Sequence, residues 1–98
     1  MQVTITAKHI DLSSSIEEYA RTKAEKLTRD YDRTEQIDVK IQKTTYGFII
    51  EIICDVEHHD PIIATSEEND VYAAIDGCID KSVRQLTDLM LNFVDFIN

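Results

Sequence analysis

Three stretches of the chain alternate between apolar and polar positions with period two, which predicts strands with one buried face. From Gln2 to Lys8 the inward positions are Val3, Ile5 and Ala7. From Gln36 to Lys43 they are Ile37, Val39 and Ile41. From Phe48 to Val56 they are Phe48, Ile50, Ile52, Cys54 and Val56, while Ile49 and Ile53 leave the opposite face of that strand partly apolar. A fourth strand, Ile62 to Ser66, follows Pro61, which suits an edge because it has no N–H to give to a ladder. Elsewhere the period changes to 3.6. Ile16, Ala20, Ala24, Leu27 and Tyr31 make one stripe of a helix from about Ser14 to Tyr31. Ser13 and Ser14 are equally good caps for it, and Ser14 with Glu17 has capping-box spacing. A second helix opens at Asn69 or Asp70, with Tyr72, Ile75, Ile79, Val83, Leu86, Met90, Phe93 and Ile97 on its stripe, widened by Val71, Cys78, Leu89 and Phe96. Gly77 interrupts it at a cost of about 1 kcal/mol relative to Ala, either for a close approach or as a tolerated defect. The order β-α-β-β-β-α predicts an α+β fold in a single domain, residues 1–98.

The second helix is too long for that fold. From Asp70 to Ile97 it spans about 42 Å at 1.5 Å per residue, whereas a six-residue strand spans about 20 Å. Residues 86–98 are therefore expected to overhang as an apolar helical extension. Leu89, Met90, Phe93, Val94, Phe96 and Ile97 lie there, and each forgoes roughly 1.5–3 kcal/mol if left in water. A patch of that kind marks an interface, and a second copy is the expected partner. The alternative is a helix that bends near Asn92 and folds back onto its own sheet.

Composition narrows the function. The chain is 43% hydrophobic with two Gly and one Pro, which excludes a disordered or low-complexity segment. No run of 18 apolar residues predicts a membrane span, and the N-terminus has no secretory signal pattern. Two cysteines, Cys54 and Cys78, are too few for a disulfide scaffold, so a cytoplasmic chain with reduced thiols is expected. The net charge of −9 is uneven: residues 1–45 balance eight basic against eight acidic side chains, while residues 46–98 hold two basic and eleven acidic ones. An acidic half repels phosphate, so any basic contact surface comes mainly from the first half. Lys23, Lys26 and Arg29 supply one, in a 120° arc beside the apolar stripe of the first helix. The plainer account of that arc is a solvated flank whose long stems cover the core edge.

The remaining constellations carry little chemistry. Cys54, His58 and His59 are neighbours, but Cys54 falls on the buried face and no fourth ligand converges, so no metal is expected. Cys78 reads as a small core residue. No nucleophile–base arrangement, glycine-rich phosphate loop or dinucleotide fingerprint is present, so neither an enzyme, a cofactor nor a small-molecule substrate is expected.

Lys8-His9-Ile10-Asp11-Leu12-Ser13, followed by Ile16-Glu17-Glu18-Tyr19 and Lys26-Leu27, resembles the opening of the ribosome hibernation-promoting factors, also called ribosome-associated inhibitors or sigma-54 modulation proteins. The more specific match is Asn69-Asp70-Val71-Tyr72-Ala73-Ala74-Ile75-Asp76, continuing through Ile79-Asp80-Lys81 to Arg84-Gln85-Leu86. The resemblance covers about residues 1–86 and implies a four-stranded sheet with both helices on one face. It also implies a factor that docks in the decoding region of the small ribosomal subunit, against 16S rRNA, and blocks messenger and transfer RNA sites in stressed or stationary cells. The basic positions that match the family's are Lys8, Lys23, Lys26, Arg29, Lys81 and Arg84. Tyr72 matches the signature, and its place on the apolar stripe assigns it to the core. After Leu86 the family is typically rich in Lys and Arg, whereas Thr87 to Asn98 holds no basic residue. Two classes therefore stay open: a short-form hibernation factor, and a protein–protein interaction module on the same fold.

Overall fold

A computed structural model describes residues 2–97, with side chains described as far as Leu91. The elements are β1 (Gln2–Lys8), α1 (Ser14–Asp30), β2 (Thr34–Lys43), β3 (Phe48–Val56), β4 (Ile62–Glu68) and α2 (Val71–Ile97). The four strands form one sheet in the order β1-β2-β3-β4. β1 pairs parallel with β2 from Gln2↔Gln36 to Lys8↔Gln42, and α1 supplies the crossover that a parallel pair needs. The β2–β3 and β3–β4 pairs are antiparallel. β2 begins two residues and β4 ends two residues beyond their expected limits.

Alternation decides which face is covered. Ile37, Val39, Ile41, Ile50, Ile52, Cys54 and Val56 are buried beneath the helices. Ala20, Ala24 and Leu27 from α1 and Val71, Ala74, Ile75, Cys78 and Leu86 from α2 close the core over them. Each large aliphatic side chain so buried contributes about 1.5–3 kcal/mol. α1 lies against β1 and β2, α2 against β3 and β4. Ala7, near the end of an edge strand, is exposed, although alternation points it inward. The other sheet face is open, with Ile53 paired across strands to Ile63, which is 53% exposed.

The helix ends are held by their caps. Ser13, not Ser14, caps α1, its Oγ accepting from the Ile16 N–H at 3.2 Å. α1 stops at Asp30, with Tyr31 as its C-cap. Asp70 caps α2, its carboxylate accepting from the Ala73 N–H at 2.9 Å. α2 then runs unbroken to Ile97, so no break occurs at Asn92. Gly77 marks a close approach: a Cβ there would come 2.8 Å from Ser66 Oγ. Among the described residues no helix is long and apolar enough to cross a membrane.

Candidate nucleic-acid interface

The outward faces of α1 and α2 form one surface, and four of its polar side chains meet at the seam between the helices. The Tyr19 hydroxyl donates to Asp76 Oδ1 at 2.6 Å. This hydrogen bond, with burial and the carboxylate charge, pushes the Tyr19 pKa above the ordinary phenol value. The Lys23 ammonium lies 3.9 Å from the same Asp76 oxygen and 5.4 Å from the centre of the Tyr19 ring. Tyr72 meets the Tyr19 ring edge to face, centroids 4.9 Å apart. Tyr72 is therefore a surface residue, 37% exposed, and not the core tyrosine its place on the stripe suggests. It falls on the flank of α2 that looks toward α1, where the two helices leave the seam open. Farther along, Tyr31 and Thr87 share a hydrogen bond of 2.8 Å between their hydroxyls.

The six basic positions fall into three groups. Lys26 and Arg29 of α1 and Arg84 of α2 are exposed, and among the described residues none of the three enters an ion pair. Arg29 also borders an open groove of about 690 Å³ between α1 and β1, beside Arg21 and Glu25. Lys23 and Lys81 are engaged within the chain. Lys23 sits in the seam against Asp76; Lys81 donates to the Thr65 carbonyl at 2.8 Å, on the free edge of β4. Lys8 shares the face of Gln42 at the end of β1, which is the open sheet face and not the helical one. The helices therefore bring five of the six onto one layer and leave Lys8 outside it.

Charge is distributed unequally over that layer. α1 holds four cations and four carboxylates, and α2 two cations and four carboxylates, Asp76, Asp80, Asp88 and Asp95. The last turn of α2 has no basic residue to complement the helix dipole. Lys26 and Arg29 are the exposed cations of α1 that enter no ion pair among the described residues.

Two further side chains escape a reading of the sequence. Arg21 Nη1 donates to the Val3 carbonyl at 3.0 Å, on the free edge of β1. Gln85 Nε2 donates to the Ile63 carbonyl at 3.2 Å, beside the Lys81 contact on β4. Each helix thus satisfies carbonyls on the sheet edge beneath it, which blunts both edges against strand addition. No sequence signal gives these contacts, because they depend on which strand is outermost.

The cysteines offer no chemistry. Both are fully buried, and burial pushes each thiol up to about 12, so neither is a thiolate at neutral pH. Cys78 Sγ donates to the Ala64 carbonyl at 3.3 Å. Exposed His58 pairs with Glu57 at 3.3 Å, and His59 contacts the Asp60 carbonyl at 2.7 Å. Among the described residues no three His, Cys, Asp or Glu side chains are grouped to hold a metal ion.

The expected oligomer patch is described only in part. Leu89 and Met90 are half-buried against the core, whereas Leu91 is 57% exposed. The side chains of Phe93, Val94, Phe96 and Ile97 lie outside the described residues.

Comparison with known proteins places this layer in context. The profile of the family described as sigma 54 modulation protein / S30EA ribosomal protein matches residues 3–90. A ribosome hibernation promoting factor of Salmonella typhimurium is 38% identical over 92 residues, covering 89% of this chain and 90% of the relative. The Escherichia coli K12 protein of that name is 37% identical over the same length and shares. Two solved structures share the fold. A ribosomal subunit interface protein from Coxiella burnetii superposes with a TM-score of 0.85 at 20% identity, covering 93% of this chain and 99% of that one. The N-terminal domain of Thermus thermophilus Protein Y gives 0.78 at 23% identity, covering 91% and 99%.

Proposed function

The chain belongs to the sigma 54 modulation protein / S30EA ribosomal protein family, and on that footing we propose that it is a ribosome hibernation factor acting in the cytoplasm. It docks on the small ribosomal subunit in the decoding region, against 16S rRNA, and shuts out messenger and transfer RNA when cells stop growing. The observation that carries this reading is the exposed set Lys26, Arg29 and Arg84 on one two-helix layer, in a chain aligned over most of its length with hibernation promoting factors. Such a layer can contact phosphates by position and shape, without any reaction. Cosedimentation with small subunits on sucrose gradients tests it. The protein is expected in the subunit fractions at low salt and, in smaller amount, at physiological salt, because phosphate contacts weaken steeply with ionic strength. Absence from those fractions at both salts would overturn the reading.

A second reading adds self-association. Leu91 is more than half exposed on a helix that continues to Ile97. We propose that the end of α2 pairs with the same segment of a second copy.

A further inference from the structure

The seam between the helices holds a cluster that phosphate contacts do not explain. Tyr19 is fixed from three directions: by its hydrogen bond to Asp76, by the Lys23 ammonium above its ring, and by Tyr72 at 89° to its plane. Tyr72 remains 37% exposed, and the Asp76 side chain 49%. An open depression of about 360 Å³ on α1, lined by Ser15, Glu18, Tyr19, Thr22 and Lys23, borders the Tyr19 side of the cluster. The charges suit a base better than a phosphate. Glu18, Asp70 and Asp76 surround the two rings, and the one cation among them, Lys23, is already paired. Carboxylates repel phosphate oxygens but accept hydrogen bonds from exocyclic amines, and aromatic rings stack on unpaired bases. Lys26 and Arg29, the cations assigned to phosphate, stand outside this cluster on the same helix.

We propose that Tyr72, braced edge to face by Tyr19, forms a stacking platform for one unpaired rRNA base that carries an exocyclic amine, with the Asp76 carboxylate accepting from that amine. The proposal rests on the rRNA-binding reading above and names the ligand of one part of that surface.

The test is binding of the full chain to purified small subunits at several salt concentrations. Wild type, Tyr72→Phe and Tyr72→Leu are compared, with their folding checked by helicity and thermal midpoint. Bound subunits are probed at base edges with dimethyl sulfate, kethoxal and a carbodiimide. Tyr72→Leu is expected to bind about 5- to 150-fold more weakly, the range of one lost base–aromatic stack. Its salt dependence should match wild type, because no phosphate contact is lost. Tyr72→Phe should bind within about twofold of wild type. One adenine, cytosine or guanine should be protected by wild type and Tyr72→Phe and exposed with Tyr72→Leu. Wild type that fails to bind overturns the ribosome reading and the platform with it. Wild type that binds while Tyr72→Leu binds equally overturns the platform alone, as does binding that protects no base edge. Tyr72-dependent protection of a uracil would overturn the role given to Asp76. Should Tyr72→Leu fail to fold, the wild-type footprint still decides.

Discussion

Single residues set the tolerances of this fold, and two of them yield tests. Gly77 allows α2 to approach β4 so closely that a Cβ would meet Ser66 Oγ at 2.8 Å. The helix-propensity gain of Gly→Ala, about 1 kcal/mol, is therefore opposed by a contact that a buried serine relieves only by rotating. Gly77→Ala alone is expected to be neutral or destabilising. In a Ser66→Ala background the same change should raise stability by up to about 1 kcal/mol, measured by urea unfolding. An equal effect in both backgrounds would show that the glycine is a tolerated defect. Asp38 gives a test in pH. On the open sheet face it accepts from the Thr4 hydroxyl and, at 3.1 Å, from Gln36 Nε2. These two bonds, Thr4 first, hold its pKa below the ordinary aspartate value. Because the folded-state pKa is the lower one, this stabilisation is present above about pH 4. It is lost as pH falls through the folded value. Asp38→Asn should therefore lower the thermal midpoint at pH 7, and its gap from wild type should close as pH falls from 7 through the folded value. A constant gap across that range would deny the linkage.

At the scale of elements, the two helices share a layer but not a role. Lys81 is held on the Thr65 carbonyl, and Arg84 stands on a helix that also carries Asp76, Asp80 and Asp88. Lys26 and Arg29 have no such engagement among the described residues, so α1 projects the stronger field. Charge reversal of Lys26 and Arg29 should weaken small-subunit binding more than reversal of Lys81 and Arg84. The salt slope should also fall by about one for each phosphate contact removed. An equal or larger loss from the α2 pair would refute this order. The same elements show what a chain displays of its structure. The inward rows Ile37-Val39-Ile41 and Ile50-Ile52-Cys54 are legible because alternation requires only one buried face. The stripe of α2 is legible for the same reason, but its flanks are not. A wheel assigns Tyr72 and Val83 to the core, yet both are more than a third exposed, because a neighbouring helix covers one flank only in part. The family signature supplies Lys23 and Lys81 as candidate contacts. That Lys23 is drawn to Asp76 and Lys81 to an edge carbonyl depends on tertiary placement, which spacing along the chain does not carry.

At the scale of the whole molecule, one element sets the shape. The principal extents are 48 × 24 × 18 Å, and the 27 residues of α2 alone span about 40 Å. Its two ends therefore stand far apart, with Tyr72 in the first turn and Leu91 near the last, about 28 Å along the axis at 1.5 Å per residue. Self-association through the C-terminal turns would leave the Tyr19–Tyr72 seam uncovered, whereas the end of α1, where Tyr31 bonds Thr87, lies beside those turns. The physical reason to expect pairing is the run of apolar positions past Leu86, the last fully buried residue of α2 among those described. Leu91 is 57% exposed there, and transferring a leucine from water into an interface contributes about 1.5–3 kcal/mol. Charge does not forbid it, since Asp88 and Asp95 are the only ionisable side chains after Gln85. Light scattering on the intact chain should give the mass of a dimer at micromolar concentration, while Leu91→Asp and Phe93→Asp should each give a monomer with unchanged helicity. A monomeric intact chain would exclude pairing. A dimer that survives both substitutions would move the interface to the open sheet face, where Ile53 and Ile63 stand opposite each other and Ile49 lies four residues along β3 on the same face.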